Sequence, residues 1–487
     1  MEGMADRPNL LVLMSDQHSP HVLGCAGDEI VRTPHLDELA GEGVRFDSCY
    51  CPAPLCVPSR MAFLTSRFPS DIRVWTNHCV LNSNIPTFAH RLASDQIETI
   101  LCGRMHFRGA DQRHGFIQRM VGEAGGSYPG GAGVNLGSIP VASTGQCRIA
   151  VETSGPGRTS YQAFDEDVTS ACCDFLKKRR PEDPAFALVV GFVLPHCPYV
   201  CPKPLFEEYM DKINLPEAEE NFLSPEHPAV TDWKRRREIL EVPPETVRRA
   251  RAGYYGLVTH LDKLIGQILQ TLRQTGLEKQ TLVMYMSDHG EMAGERGMWW
   301  KSNFFEASAG VPLIAKGRGV SKKGAMIDRV VSLLDVGPTL LDMEGMQPLP
   351  FHRGRSLRPF LEKGNNDLPD WPDLAFCEHA SPTARGDPPA RMVRKGPWKL
   401  ILYHGYSDPQ LFHLERDPKE LQDLGQAPEF SGVREELLGL LLEDWTPSKV
   451  LEAVKRVELD RECLVAWGKT VQPADPDHWV SPKSLTG

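Results

Sequence analysis

No stretch of this 487-residue chain approaches the roughly 20 apolar residues that span a bilayer. The best run, Ala185 to Leu194, has half that length, so no membrane partner is expected. A secretory pattern is lacking as well. Met1 to Pro8 is short and acidic, and the first apolar run, Leu10 to Met14, is brief. A cytoplasmic location is expected. Positive charge is not in surplus: net charge is −10 and the pI about 5.9. Nucleic acid is therefore not an expected partner, though local cationic sites for a small anion stay open. The 13 cysteines are odd in number and form no compact disulfide framework. Cys49, Cys51 and Cys56, like Cys197 and Cys201, lack the paired C-x₂-C spacing of a zinc site. Internal repeats and low-complexity tracts are missing too.

What the chain does have is the balance of a soluble globular protein, 41% hydrophobic and 24% charged. Its length suits a large core in more than one unit. Short apolar runs that end in polar residues read as buried strands: Asn9–Ser15, Glu98–Cys102, Phe186–Leu194, Thr281–Met286 and Gly310–Ala315. Helical periodicity lies between them. Thr33-Pro34 opens one helix, Ser59 to Leu64 begins another, and Ile85–Leu92, Phe164–Lys178 and Val247–Gln274 follow. Alternating strands and helices predict an α/β fold with a large, mostly parallel sheet sandwiched by helices. Residues 112–159 are glycine-rich and read as a long insertion, and 202–245 as a surface wrap. Arg391–Tyr403 reads as a hairpin and Gln410–Pro418 as a strand and turn, which predicts a small C-terminal antiparallel subdomain. The expected division is 1–375, an α/β catalytic domain; 376–445, a small α+β subdomain; and 446–487, a tail at a subunit interface.

Polar clusters follow the strands directly. Asp16-Gln17 follows the first, Arg104 and His106 the second, His196 the third and Asp288-His289 the fourth. A parallel sheet brings such positions to one edge, where ligands gather. There, carboxylates, imidazoles and cations would meet Cys56-Val-Pro58-Ser59-Arg60. In that stretch a thiol, a rigid proline and a permanent cation open a helix whose N–H groups face an anion. The set suits metal-assisted hydrolysis of an anionic ester.

Taken in order, these pieces resemble type I sulfatases of the alkaline phosphatase superfamily. The resemblance runs through Cys56-x-Pro-Ser-Arg60, Leu64-Thr-Ser-Arg67, Gly103-Arg-Met-His106, His196-x-Pro-Tyr199, Ser287-Asp-His-Gly290, Gly297-Met-Trp-Trp-Lys301 and Leu411-Phe-His-Leu-x-x-Asp-Pro418. Met105-His106-Phe107, Asp111-Gln112 and Lys301-x₄-Glu306 point to the choline-sulfatase-like and arylsulfatase branch.

The resemblance implies that Cys56 is oxidised to formylglycine by a formylglycine-generating enzyme. It implies one divalent cation, calcium or manganese with magnesium as a further option, held by Asp16, Asp288, His289 and the modified Cys56. Gln17 is a further ligand or a supporting group. Arg60 would hold the formylglycine, Arg104, Lys301 and Asn77 the sulfate; His106 would be the base, and His196 with Lys301 the acid. The family's usual lysine stands here as Arg104, and its paired aspartates as Asp16-Gln17. The substrate implied is a small anionic sulfate ester, and the assembly a homodimer or tetramer. Trp75, Trp299 and Trp300 are candidates to face a cationic alcohol such as choline, with core packing the alternative. Two other functions stay open: a phosphonate monoester or phosphodiester hydrolase, and a non-enzymatic anion- and metal-binding relative.

Overall fold

The computed structural model describes residues 7–482 except 132, 137–138, 140–144, 218–220 and 383–384. The omitted positions include parts of the expected insertion, the surface wrap and the two ends.

Eight strands form the main sheet: β1 (Asn9–Asp16), β2 (Val44–Phe46), β3 (Glu98–Gly103), β4 (Gln118–Arg119), β5 (Phe186–Pro195), β6 (Thr281–Ser287), β7 (Leu313–Gly317) and β8 (Ala325–Ile327). Their order is β8-β2-β7-β6-β1-β5-β3-β4. Only β7 runs antiparallel to its neighbours. The central strands β1, β5 and β6 are buried along their whole length. That explains their unbroken apolar sequences, since a central parallel strand has both faces covered. Helices Ser160–Lys177 and Pro244–Gln274 pack on each other and on β5.

Register sets the edge where the polar clusters meet. Ser15 pairs with Ser287, and Asp16 with Pro195. Asp16 closes β1, while Arg104, His196 and Asp288 each stand one residue beyond β3, β5 and β6. Gly191 on β5 permits the close approach of β3. A Cβ there would lie 1.7 Å from the Arg104 carbonyl oxygen.

Several boundaries differ from the sequence reading. The helix expected from Ser59 runs Cys56–Thr65, so Cys56 sits in its first turn. The helix expected from Ile85 begins at Phe88, where Thr87 accepts the N–H of His90 as its cap. The glycine-rich insertion is not wholly irregular: Gln118–Arg119 adds an edge strand and Arg148–Glu152 is a helix. Within 202–245, Lys203–Met210 and Pro228–Arg236 are helical. Their short apolar stripes are diluted by proline and charge, which hides the period.

A second sheet, β9 (Leu374–Ser381), β10 (Asp387–Lys395), β11 (Trp398–Tyr403) and β12 (Gln410–His413), is antiparallel throughout. It shares a separate core with helices Ser431–Leu442 and Pro447–Val471, formed by Val393, Leu400, Leu411, Leu437, Leu441 and Val454. After the last helix the chain returns to the first unit. Glu123 N–H donates to the Asp477 carbonyl and Trp479 N–H to that of Glu123, each at 2.8 Å.

Lys399 ties the second sheet to Glu306 at the start of the short helix Glu306–Ala309. It is fully buried on β11, with Nζ 2.8 Å from Glu306 Oε1 and 2.5 Å from Glu420 Oε1. Removing one member of a buried ion group strands the others and costs about 3–5 kcal/mol. Lys399→Met should therefore lower the urea midpoint with little change in slope. An unchanged midpoint would show that the cluster contributes nothing net.

Candidate active site

Four ligand atoms converge at the sheet edge. They belong to Asp16, Cys56, Asp288 and His289, all lie within 4.8 Å of one another, and all four residues are buried. Cys56 Sγ is 3.6 Å from Asp16 Oδ1 and 3.2 Å from His289 Nε2. His289 Nε2 is 3.6 Å from Asp16 Oδ1 and 3.5 Å from Asp288 Oδ1. These separations are too long for good N–H···O bonds. The Cys56 thiol makes the longer hydrogen bonds usual for sulfur to Asp16 and His289, and the four ligand atoms cluster within 4.8 Å. Among the described residues this is the one such cluster.

Arg60 organises the cluster from behind. One helical turn after Cys56, it donates Nε to Asp288 Oδ2 at 2.7 Å and Nη2 to Asp16 Oδ2 at 3.3 Å. Its Nη1 donates to the Arg104 carbonyl at 2.7 Å. Each carboxylate thus turns Oδ2 to the guanidinium; Oδ1 of each belongs to the four-atom cluster, and that of Asp288 also accepts the N–H groups of Gln17 and His289 at 3.1 and 2.9 Å. Burial and Cys56 push the Asp16 carboxyl up, but Arg104, His196 and Arg60 outweigh them and hold it well below the usual carboxylate range. Burial pushes the Asp288 carboxyl up despite Arg60.

Cys56 lies at the N-terminus of a ten-residue helix with no side-chain cap at Leu55, so the helix end itself favours negative charge there. Burial would raise the thiol, yet Lys301, His289, His106 and His196 together hold it well below its ordinary value. The surroundings are built for an anion at residue 56.

Lys301 Nζ lies 3.4 Å from Cys56 Sγ and donates to Gln17 Oε1. Gln17 in turn donates Nε2 to Glu291, which also accepts the Tyr199 hydroxyl at 2.8 Å. Gln17 therefore supports Lys301, and its carbonyl oxygen is engaged there instead of at the four-ligand cluster. Arg104 likewise meets residues of the site itself. Its Nε donates to Asp16 Oδ2 at 2.6 Å and its Nη2 lies 2.9 Å from His106 Nδ1. Asn77 lines the neighbouring cavity, but its Oδ1 accepts the Val57 N–H at 2.9 Å, leaving the amide nitrogen for an anion.

The two imidazoles are driven apart. His106 is pushed down to about 3 by burial, Arg104 and Arg108. His196 is opposed by burial and Lys301, yet Cys197 and Asp16 push it up to about 10. One ring is thereby poised neutral and the other protonated, the usual division between a base and an acid. Both line a cavity of about 280 Å³ together with Lys301 and Asn77. Trp75, Trp299 and Trp300 do not line it. All three are buried, with Trp299 tilted on Tyr199 at 5.5 Å.

Two supporting carboxylates escaped the sequence reading. Glu291 takes the N–H groups of Ala293 and Trp300 at 2.7 and 2.6 Å, bracing the loop before Lys301. Glu123, inside the supposed insertion, accepts the N–H groups of Met105, His106 and Phe107 at 3.0, 2.6 and 3.3 Å, and Arg119 at 2.7 Å. No local motif marks it; only its place between the His106 loop and the chain end reveals it.

The sulfatase family profile matches residues 8–346, and an N-sulphoglucosamine sulphohydrolase C-terminal profile matches 294–445. The chain is 32% identical to a choline-sulfatase of Rhizobium meliloti (strain 1021), covering 87% of this chain and 83% of that protein. It is 29% identical to an arylsulfatase of Clostridium perfringens (strain 13 / Type A), covering 87% and 91%. A solved phosphonate monoester hydrolase of Agrobacterium radiobacter shares the fold with a TM-score of 0.72 at 23% identity, over 92% of this chain and 96% of that one.

Glu123 offers a stability test. Burial raises its carboxyl, but Arg119, His106 and Arg104 bring it from the usual 4.5 to about 2. That difference corresponds to about 3 kcal/mol. Because the folded value is depressed, the contribution is present above about pH 4.5 and lost as pH falls through about 2. Glu123→Gln should lower the unfolding free energy by about that amount at pH 7, and the gap should close on acidification. A gap independent of pH would contradict this account.

Proposed function

The chain belongs to the sulfatase family, hydrolases acting on sulfate esters, and we propose on that premise that it cleaves an aryl or alkyl sulfate monoester to the alcohol and inorganic sulfate, with Cys56 first converted to formylglycine. The observation that carries this reading is the convergence of Asp16, Asp288 and His289 on Cys56, with Lys301 Nζ 3.4 Å from the same sulfur.

The donor set fits the implied groups. Two carboxylates and an imidazole suit a divalent cation, calcium or manganese before magnesium, and the imidazole favours manganese. A thiol is a poor partner for so hard an ion, whereas an oxygen at residue 56 suits it. When bound, the cation supplies Lewis acidity beside residue 56. Formylglycine supplies a hydroxyl nucleophile that is restored after each turnover.

The chain's own residues do the rest. Arg60 fixes both carboxylates through Oδ2, and Asp288 Oδ1, which also accepts the N–H groups of Gln17 and His289, keeps its remaining lone-pair capacity for a cation. Lys301, held by Gln17, sets a cation against the sulfate oxygens, and Asn77 offers its amide nitrogen. Arg104 acts mainly through Asp16 and His106. His196, kept protonated, gives its proton to the leaving alcohol oxygen. His106, kept neutral, accepts a proton at residue 56 when sulfate is released.

Other parts of the reading follow. Cys56 is fully buried, so the formylglycine-generating enzyme must act before the chain closes around it. All thirteen cysteines are free thiols, which suits a reducing cytoplasmic location. Leu459, Leu464, Trp467 and Val471 expose apolar surface on the last helix, which favours a homo-oligomer joined through the tail. The two sheets support a division near residue 375, while Val450 and Val454 of the last helix pack in the second core, so the part of 446–487 that carries this helix groups with 376–445.

Protein made alongside the maturation enzyme should carry an aldehyde on the peptide containing residue 56 and hydrolyse aryl sulfates faster than aryl phosphonates. Cys56→Ala should lose about 10⁴-fold or more in kcat. Already folded, unmodified protein should gain no aldehyde when the maturation enzyme is added later. The reverse substrate ranking would make the chain a phosphonate monoester hydrolase. Absence of the aldehyde would favour a non-enzymatic relative.

A further inference from the structure

The cavity beside Cys56 carries more positive charge than the sulfate group alone requires. Arg108 and Arg385 line it in addition to Lys301. Arg108 donates Nε to the Asn77 carbonyl at 3.1 Å and Nη1 to that of Gly126 at 2.5 Å, while Nη2 lies 3.0 Å from His106 Nε2. Arg385 donates Nη1 to the Gln146 carbonyl at 3.1 Å. All these partners are neutral. Among the described residues neither guanidinium has a carboxylate within ion-pair distance.

Asp387, the one carboxylate among the described residues that line the cavity, is already engaged. Arg236 reaches it at 3.2 Å, Arg237 at 2.6 Å and His379 Nε2 at 3.2 Å. His78 reports the resulting field: burial first, then Arg461, Arg108 and Arg385, push it down to about 4. Among the described residues the lining also includes no tryptophan, tyrosine or phenylalanine. A quaternary ammonium would find neither an aromatic cage nor a free anion there.

We infer that the alcohol part of the substrate carries a second anionic group, a carboxylate or another sulfate, bound by Arg385 and Arg108. This inference depends on the sulfatase reading and deepens it. A planar guanidinium with unused donors matches either oxyanion, and although Arg385 itself is exposed, a charge-assisted bond to it favours an anionic group over a neutral analogue. Arg108 also touches His106, so its loss would disturb the reaction itself. Arg385 is the cleaner probe.

The test uses full-length protein with the aldehyde at residue 56. Substrates are phenyl sulfate, its ortho-, meta- and para-carboxy derivatives, the corresponding phenylene bis-sulfates, and choline sulfate. At least one doubly anionic substrate should exceed phenyl sulfate in kcat/KM by about tenfold or more, with choline sulfate the poorest. The better arm tells carboxylate from sulfate. Arg385→Met should bring the ratio of that substrate to phenyl sulfate close to one, and Arg385→Lys should keep part of it. The ratio is the readout, so a fall in the amount of folded protein leaves it unchanged. A preference for phenyl or choline sulfate, or an Arg385→Met ratio equal to that of the wild type, overturns the subsite while the sulfatase reading stands. No turnover of any sulfate ester by aldehyde-bearing protein overturns both.

Discussion

Two carboxylates with no solvent exposure share one site, and Arg60 makes that tolerable. At about 4 Å, two like charges in a partly screened interior repel by roughly 4 kcal/mol. A guanidinium bonded to Oδ2 of both Asp16 and Asp288 replaces that repulsion with attraction. It also decides orientation, leaving each Oδ1 toward Cys56 and His289. The bridge exists because three pieces of chain meet: β1 and β6 in register, and a helix that places Arg60 one turn behind Cys56. A slip of one residue in that pairing would turn one carboxylate away.

Around this bridge the protein builds a second layer from backbone in costly conformations. Gln17, His106, Trp300 and Ser302 all have φ between 61° and 74°, a region that side chains other than glycine rarely occupy. The clustering of such residues at one place is usual where geometry serves chemistry. Glu291 holds the segment before Lys301, Glu123 holds the His106 loop, and Asp165 accepts the N–H groups of Val193 and Leu194 at 2.8 Å each, just before His196. These carboxylates accept backbone N–H groups and so fix the loops that carry the reacting side chains. The second sheet enters the same economy of contacts through Lys399 and Glu306, five residues after Lys301.

The central strands were legible in the sequence because burial on both faces leaves a continuous apolar run. Their polar ends were legible because a parallel sheet collects them at one edge. Asp16, Cys56, Asp288 and His289 could be placed together on that basis. The less legible features were those set by long-range contact. Glu123 lies 17 residues from the His106 N–H it accepts, and the apolar pair Met120-Val121 before it, cut off by Gly122, is too short to signal a strand. Gln17 was open between two roles until Lys301, 284 residues away, proved to meet its carbonyl. Arg104 was expected at the sulfate, and its partners, from β1 and from the turn of its own loop, left no local sequence signal. Helices within 202–245 were obscured by proline at their starts and by short apolar stripes.

The charge of the site now has a coherent division. Arg60 and Arg104 balance the buried carboxylates, Lys301 serves residue 56, and Arg108 and Arg385 remain for what enters the cavity. The central claim is that Asp16, Asp288 and His289 hold a divalent cation together with an oxygen on residue 56. Anomalous diffraction from crystals of the matured protein, collected on both sides of the manganese edge and at long wavelength for calcium, tests it most directly. The account predicts one peak bonded to Asp16 Oδ1, Asp288 Oδ1, His289 Nε2 and an oxygen of residue 56. A cation located elsewhere, or sulfur still in place at residue 56 of active protein, would contradict it.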